Sequence, residues 1–221
     1  YLTSKAKLIS ENPMQDLDSP RLKKSLPRYL SLDESIQLLE AVDEPNQARD
    51  YCILTLFLNC GLRISELVSL NITDVREEQL RVLGKGNKER MIFLNEACRA
   101  ALDDWLEERS RQAAADPNAL FLTRTHTRMT KDAVHYMVKQ RLKKAGLDAS
   151  LYSSHKLRHT AATLMLQNGV DVRTLQEVLG HENLNTTQIY THVDNENLRS
   201  AAKANPLGRM KKKSTPIPPG K

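Results

Sequence analysis

Along most of this 221-residue chain the apolar residues recur at helical spacing, and four of the segments so marked run into a glycine, at Gly61, Gly146, Gly169 and Gly180. Glycine ends helices readily because it enters the left-handed region without a side-chain penalty. The period changes once. Between Ile72 and Leu94, Leu80 and Val82 and then Met91 and Phe93 alternate, with Gly84-Lys85-Gly86-Asn87 between them. That is the pattern of an antiparallel hairpin with its tip at Lys85. The chain is therefore expected to be mainly α with a small antiparallel β-sheet (α+β).

The compact domain is expected over 29–204. It opens where Ser31 and Glu34 form a capping box ahead of Ile36, Leu38, Leu39 and Val42. Helices follow over 47–60, 63–70, 96–112 (with Trp105 on the apolar side), 131–145, 155–167, 171–179, 186–192 and 195–204. Asp116-Pro117-Asn118 reads as a turn and 120–122 as a short extended piece. Before the domain, residues 1–12 read as the end of a helix belonging to a further domain, and 13–28, with Pro13, Pro20 and Pro27, as a linker. After it, 205–221 carries Arg209, Lys211, Lys212 and Lys213 and then Pro216, Pro218 and Pro219, and is expected to be a disordered basic tail.

A formal net charge of +6 points to a polyanionic partner, with nucleic acid ahead of membrane. No stretch approaches the roughly 20 apolar residues that span a bilayer. The longest apolar run, near Ile53 to Leu58, suits a buried helix. Three cysteines cannot all pair, and the apolar surroundings of Cys52 and Cys60 suit buried free thiols in a reducing cytosol. There is no GxxxxGK[ST] loop and no cluster of Asp or Glu suited to two magnesium ions, which argues against P-loop enzymes and two-metal nucleases.

Several polar residues stand where chemistry would use them. Arg63 follows a glycine-stopped helix and opens the next, where an anion is favoured, although an arginine there pairs as readily with Glu66 three residues on. Lys85 lies between two glycines at the hairpin tip. His155 and Arg158 are three apart at a helix start capped by Ser153 or Ser154 and face the same way, while His159 points elsewhere. His181 follows Gly180 and by itself fits a helix cap, and Tyr190, nine residues later, by itself fits a core position. Taken together, two forked cations, groups that move protons and a phenol are what attack on a phosphodiester without a metal requires.

Four stretches carry a family resemblance: NCGLRISELVSL at 59–70, VLGKGNKER at 82–90, HKLRHTAATLM at 155–165 and LGHENLNTTQIYTHV at 179–193. In this order they resemble the catalytic domain of a tyrosine recombinase, nearest the Xer type and related phage and transposon integrases, from about 26 to about 204. The resemblance implies that Arg63 and Arg158 clamp the scissile phosphate, with Glu66 orienting Arg63. It implies that Lys85 protonates the leaving 5′-oxygen, His155 accepts the proton of Tyr190, His181 binds a nonbridging oxygen and Tyr190 is the nucleophile. His159 then supports the site from behind, and Tyr136, Tyr152 and His192 are structural. Lys88, Arg90, Lys131, Lys139 and Arg141 are the candidate DNA contacts, the first two to the DNA backbone or to solvent.

The implied product is a 3′-phosphotyrosyl bond, formed and resealed with no metal and no cofactor. The implied partner is double-stranded DNA with paired half-sites, held by a homo- or hetero-tetramer that exchanges helix 195–204 in trans, in the bacterial cytoplasm. Family members also carry an N-terminal domain that grips the other face of DNA, so this chain is expected to bind its site weakly. Two other readings stand beside this one. A type IB topoisomerase shares the fold and chemistry, but LGHENLNTTQIYTHV favours the recombinase. A non-catalytic DNA-binding module is opposed by the complete residue set. Neither the DNA site nor the choice between chromosome-dimer resolution and mobile-element integration is legible.

Overall fold

The computed structural model describes residues 28–43, 46–84, 86, 88–180 and 195–210. The first helix, α1 (Leu32–Glu40), starts at the expected capping box, with Ser31 N donating to Glu34 Oε2 at 2.7 Å and Glu34 N to Ser31 Oγ at 3.1 Å. Just before it, Leu30 is fully buried and its N–H donates to Thr160 Oγ1. The second helix, α2 (Gln47–Cys60), is buried from Ala48 to its end and forms the axis of the core. It packs against α1, against α4 (Glu96–Ser110) and against α6 (Ser154–Gln167). A helix buried on every side belongs in such a position, and its buried charges Arg49 and Asp50 pair with each other there. The short α3 (Ile64–Ser69) and α5 (Lys131–Lys144) close the same core, as do Trp105 and Phe121, which stack with centroids 6.1 Å apart. The indole N–H donates to Leu120 O.

The sheet has two antiparallel strands, β1 (Gln79–Leu83) and β2 (Glu89–Phe93). Its register corrects the expected alternation. Leu80 pairs with Ile92 and Val82 with Arg90, and directly opposed residues share a face. Ile92, not Met91 or Phe93, joins Leu80 and Val82 in the core. Phe93 is buried on the opposite face, where the guanidinium of Arg199 lies 5.1 Å from its ring centroid. The same register turns Arg90 inward.

A smaller apolar cluster joins Met165 of α6 and Val170 to Leu175 and Leu179 of α7 (Val172–Leu179) and Ala201 of α8 (Asn195–Ala204). Here α8 packs on its own chain, against α7 and β2, and Ala202 O accepts from Asn95 Nδ2. The expected tail boundary at 205 is also corrected. Asn205 Nδ2 donates to Leu58 O at 2.9 Å, and a single 3₁₀ turn at Pro206–Arg209 drives Leu207 into the core with no exposed surface. A Pro-Leu pair inside a run of lysine and proline gave no periodic signal, but one leucine and one capping asparagine suffice to extend the packed domain to 210. Among the described residues no helix is long and apolar enough to cross a membrane.

Candidate active site

Three helix ends and one strand meet where the two expected arginines lie. α2 stops at Gly61 (φ +59°), and the chain turns at once into α3, with Arg63 at its N-cap. A Cβ on Gly61 would stand 2.6 Å from Leu179 Cδ2, so glycine serves both the turn and the close approach of α7. α7 ends at Gly180 (φ +63°), whose Cα abuts the Arg90 side chain. On α6, Ser153 is the cap, its Oγ accepting from Lys156 N, and Arg158 lies one turn in.

The two guanidiniums converge. Arg158 Nη2 donates to Leu179 O at 2.8 Å and Arg63 Nη1 reaches the same oxygen at 3.5 Å, while Arg63 Nη2 donates to Gly180 O at 3.0 Å. Arg158 Nη1 donates to Gly61 O. Carbonyls at helix C-termini carry partial negative charge and lack partners within the helix, so cations settle there. Arg63 keeps 39 % of its side chain exposed, whereas Arg158 is buried. Burial, and then the neighbouring charge of Arg63, bring the Arg158 pKa down to about 10. Two cations within reach of one oxygen form a site that favours a multiply charged anion.

Beneath them lies Glu66, 2 % exposed. It accepts from Arg63 Nη1 at 2.9 Å and from the Arg63 backbone N–H at 2.7 Å. It also accepts two bonds from Arg90, Nη1 at 2.7 Å and Nη2 at 3.0 Å. Burial pushes the Glu66 carboxyl up, and the hydrogen bonds and charge of Arg90, with those of Arg63, more than offset that, leaving it below its ordinary value. The place of Arg90 was not legible from the sequence. The signal that carries it is the strand register, which sets Arg90 opposite buried Val82.

His155 is exposed on the first turn of α6, one turn before Arg158. His159 sits edge-on to Tyr29 with centroids 6.1 Å apart, a structural contact. Lys88 and Lys131 are exposed. Lys139 and Arg141, the other candidate DNA contacts on α5, are engaged within the fold. Lys139 Nζ donates to the Ala149 and Tyr152 carbonyls, and Arg141 binds Asp50 at 2.7 Å and Asp43 at 2.9 Å with 11 % of its side chain exposed. Both cations are taken up inside the fold. Lys85, His181, Tyr190 and His192, and the expected helix over 186–192, lie outside the described residues, as do 1–27 and 211–221.

The sequence matches the Phage integrase family over residues 28–197. It is 55 % identical over 210 residues to the tyrosine recombinase XerC of Caldanaerobacter subterraneus subsp. tengcongensis, covering 95 % of this chain and 60 % of that protein. It is 41 % identical over 212 residues to XerC of Vibrio cholerae, covering 93 % and 67 %. Among solved structures the fold resembles that of XerA recombinase, with a TM-score of 0.66 at 35 % identity, covering 81 % of this chain and 65 % of that one. It also resembles the XerH site-specific recombinase bound to its difH substrate before cleavage, with a TM-score of 0.64 at 30 % identity, covering 82 % and 56 %. The chain thus spans about 60 % of the length of the Caldanaerobacter relative.

Proposed function

The chain belongs to the phage integrase family, and from that premise we propose that it cleaves and rejoins duplex DNA as a site-specific recombinase, through Tyr190. The observation that supports this most is the meeting of Arg63 and Arg158 at one carbonyl oxygen, Leu179 O. A nonbridging phosphate oxygen offers the same donors a stronger, charged acceptor. In this reading the scissile phosphate takes the place of the helix-end carbonyls, and the arginines neutralise the charge that grows on its oxygens as the nucleophile arrives.

Tyr190 Oη attacks phosphorus in line. A phenol with a pKa near ~10 is mostly protonated at neutral pH, so His155 takes up its proton. The P–O5′ bond breaks, the 5′-oxygen receives a proton from Lys85, and a 3′-phosphotyrosyl bond remains. His181 donates to a nonbridging oxygen. A 5′-hydroxyl from the partner duplex then attacks the phosphotyrosyl bond, expels the tyrosine and restores a phosphodiester. One phosphodiester is exchanged for another, so the cycle draws on no nucleotide, and with two guanidiniums on the phosphate it needs no metal.

The XerH relative was captured on its difH substrate before cleavage. By analogy this chain acts on DNA with paired half-sites, as a multimer, with 29–210 as its catalytic domain. Exchange of α8 between neighbours would release the contacts it makes at Phe93 and Asn95. Three buried free cysteines fit action in a reducing cytoplasm.

The test is covalent capture. The chain is mixed with a labelled library of nicked duplexes with randomised half-sites, in EDTA, and denaturing gels are read for protein–DNA adducts. A band present in the parent and absent from Tyr190→Phe is expected, and sequencing the trapped DNA reports the site. Retarded DNA in native gels without any adduct would assign the chain to binding without catalysis.

A further inference from the structure

Arg90 is the residue whose contacts exceed any role given to it so far. Five residues after Lys85, on β2, it touches both α3 and the C-terminal end of α7. Both Nη atoms bind the Glu66 carboxylate of α3, at 2.7 and 3.0 Å. Nε donates to Val178 O of α7 at 3.4 Å. Its Cδ, Nε and Cζ lie against Gly180, where a Cβ would stand only 3.0–3.1 Å from them. Its side chain is 15 % exposed, against 39 % for Arg63.

We propose that Arg90 is a positioning residue for strand cleavage: by sharing Glu66 with Arg63 and seating on the end of α7, it sets Arg63, β2 and the C-terminal end of α7 relative to one another. This rests on the function proposed above.

The physics runs through Glu66. Its carboxylate receives four hydrogen bonds, two from Arg63 and two from Arg90. A buried carboxylate needs about that many donors to offset its lost hydration. Without Arg90, Arg63 is the one arginine left hydrogen-bonded to Glu66 among the described residues, and it is drawn toward that carboxylate, away from a phosphate. With Arg90 in place, three arginines surround one carboxylate, and the charge in excess is left for the ligand. The bidentate fork matters as much as the charge, since a lysine at this position keeps one positive charge but cannot bond both oxygens in plane. Val178 O and the glycine contact add the second constraint. They fix where α7 ends, and α7 supplies the carbonyls on which Arg63 and Arg158 rest.

Adduct formation is measured in a single turnover on a nicked duplex recovered from the covalent capture, at saturating DNA, with DNA affinity measured separately by gel shift over a salt series. The variants are Arg90→Met, Arg90→Lys, Glu66→Gln and the double variant Glu66→Gln with Arg90→Lys. Misplacing a catalytic group by about 1 Å typically costs on the order of 10²-fold in rate. The rate constant at saturation is expected to fall by about that factor in Arg90→Met and by less in Arg90→Lys. In the Glu66→Gln background, Arg90→Lys should add little further loss, because the shared partner is already gone.

If instead the rate at saturation is unchanged while affinity drops and the salt slope falls by about one, Arg90 contacts a DNA phosphate and the proposal is wrong. Fully additive losses in the double variant overturn it as well. Should Arg90→Met fail to fold, as judged by circular dichroism, the lysine variant and its cycle with Glu66→Gln carry the same comparison. A parent chain that forms no adduct defeats the proposed function. A parent that cleaves beside an unimpaired Arg90→Lys defeats only this inference.

Discussion

A cluster of arginines gathers at each end of α2, and the clusters are built to opposite ends. At the N-terminal end, Asp50 is 4 % exposed and shared by Arg49 and Arg141, which are 9 % and 11 % exposed, and Asp43 takes Arg141 and Lys144. Every cation there has a carboxylate. At the C-terminal end, Arg63 and Arg90 share Glu66, while Arg158, among the described residues, has only the carbonyls of Gly61 and Leu179. The first arrangement is satisfied internally and ties α2 to α5. The second holds unspent positive charge beside an exposed arginine. The same residue types make a brace in one place and an anion site in the other, and what separates them is whether a carboxylate has been supplied for each guanidinium.

Removing the shared acid of the brace tests that distinction most severely. Asp50→Ala leaves Arg49 and Arg141 without their common partner inside the fold, and stability should fall by about 3–5 kcal/mol in urea unfolding. Below its melting temperature the variant should form adducts at the parental rate. A slowed rate would mean that the two ends of α2 are not independent. The converse is Arg158→Met. Under the proposed function it removes one phosphate donor, and the adduct rate should fall by about 10²–10³ in a single-turnover assay as that transition-state contact is lost. A small rate effect with a large loss of stability would make Arg158 a second brace.

How much of this was legible differs between the clusters for a physical reason. Helix ends were readable because the signal is local. Gly61, Gly146, Gly169 and Gly180 all lie in the left-handed region, and Arg63 and Glu66 stand three residues apart on one helix, as their spacing required. Pairings across the chain were not. Arg141 meets Asp50 over 91 residues of sequence and Arg90 meets Glu66 over 24. A lysine or arginine on a helix looks the same in sequence whether it faces solvent, DNA or a buried aspartate. The strand register failed for a related reason. Met91 and Phe93 alternate as convincingly as Arg90 and Ile92, and the choice fell to the face that α8 covers, where Arg199 lies over Phe93.

Gly61 offers a smaller test at the same junction. Gly61→Ala sets a side chain on a backbone at φ +59°, with its Cβ 2.6 Å from Leu179 Cδ2. The left-handed conformation costs about 1–2 kcal/mol, and the buried Leu179 side chain must shift to make room. Since Leu179 O is where the two arginines meet, the variant should lose rate as well as stability. Gly169, with nothing within 4 Å of an added Cβ, is the control: Gly169→Ala should cost the conformational term and leave the rate alone.

The least effect, and the most specific to the charge imbalance, lies in the pH dependence of Glu66→Gln. The folded-state pKa of Glu66 is held below the ordinary 4.5, against burial, by Arg90 and Arg63. A carboxylate lowered in this way contributes stability that is fully present above its unfolded-state pKa and is lost as pH falls through the folded value. Parent and variant should therefore differ most near neutrality, and the gap in unfolding free energy should begin to close below about pH 4.5. Other carboxyls held low, among them Asp116 beside Arg128 and Asp171 beside Thr174, titrate in both proteins, so only the difference between the two curves is informative. A gap that stays constant from pH 7 down to pH 3 would mean that Glu66 is not the acid balancing these arginines. The contrast between the two ends of α2 would then rest on burial alone.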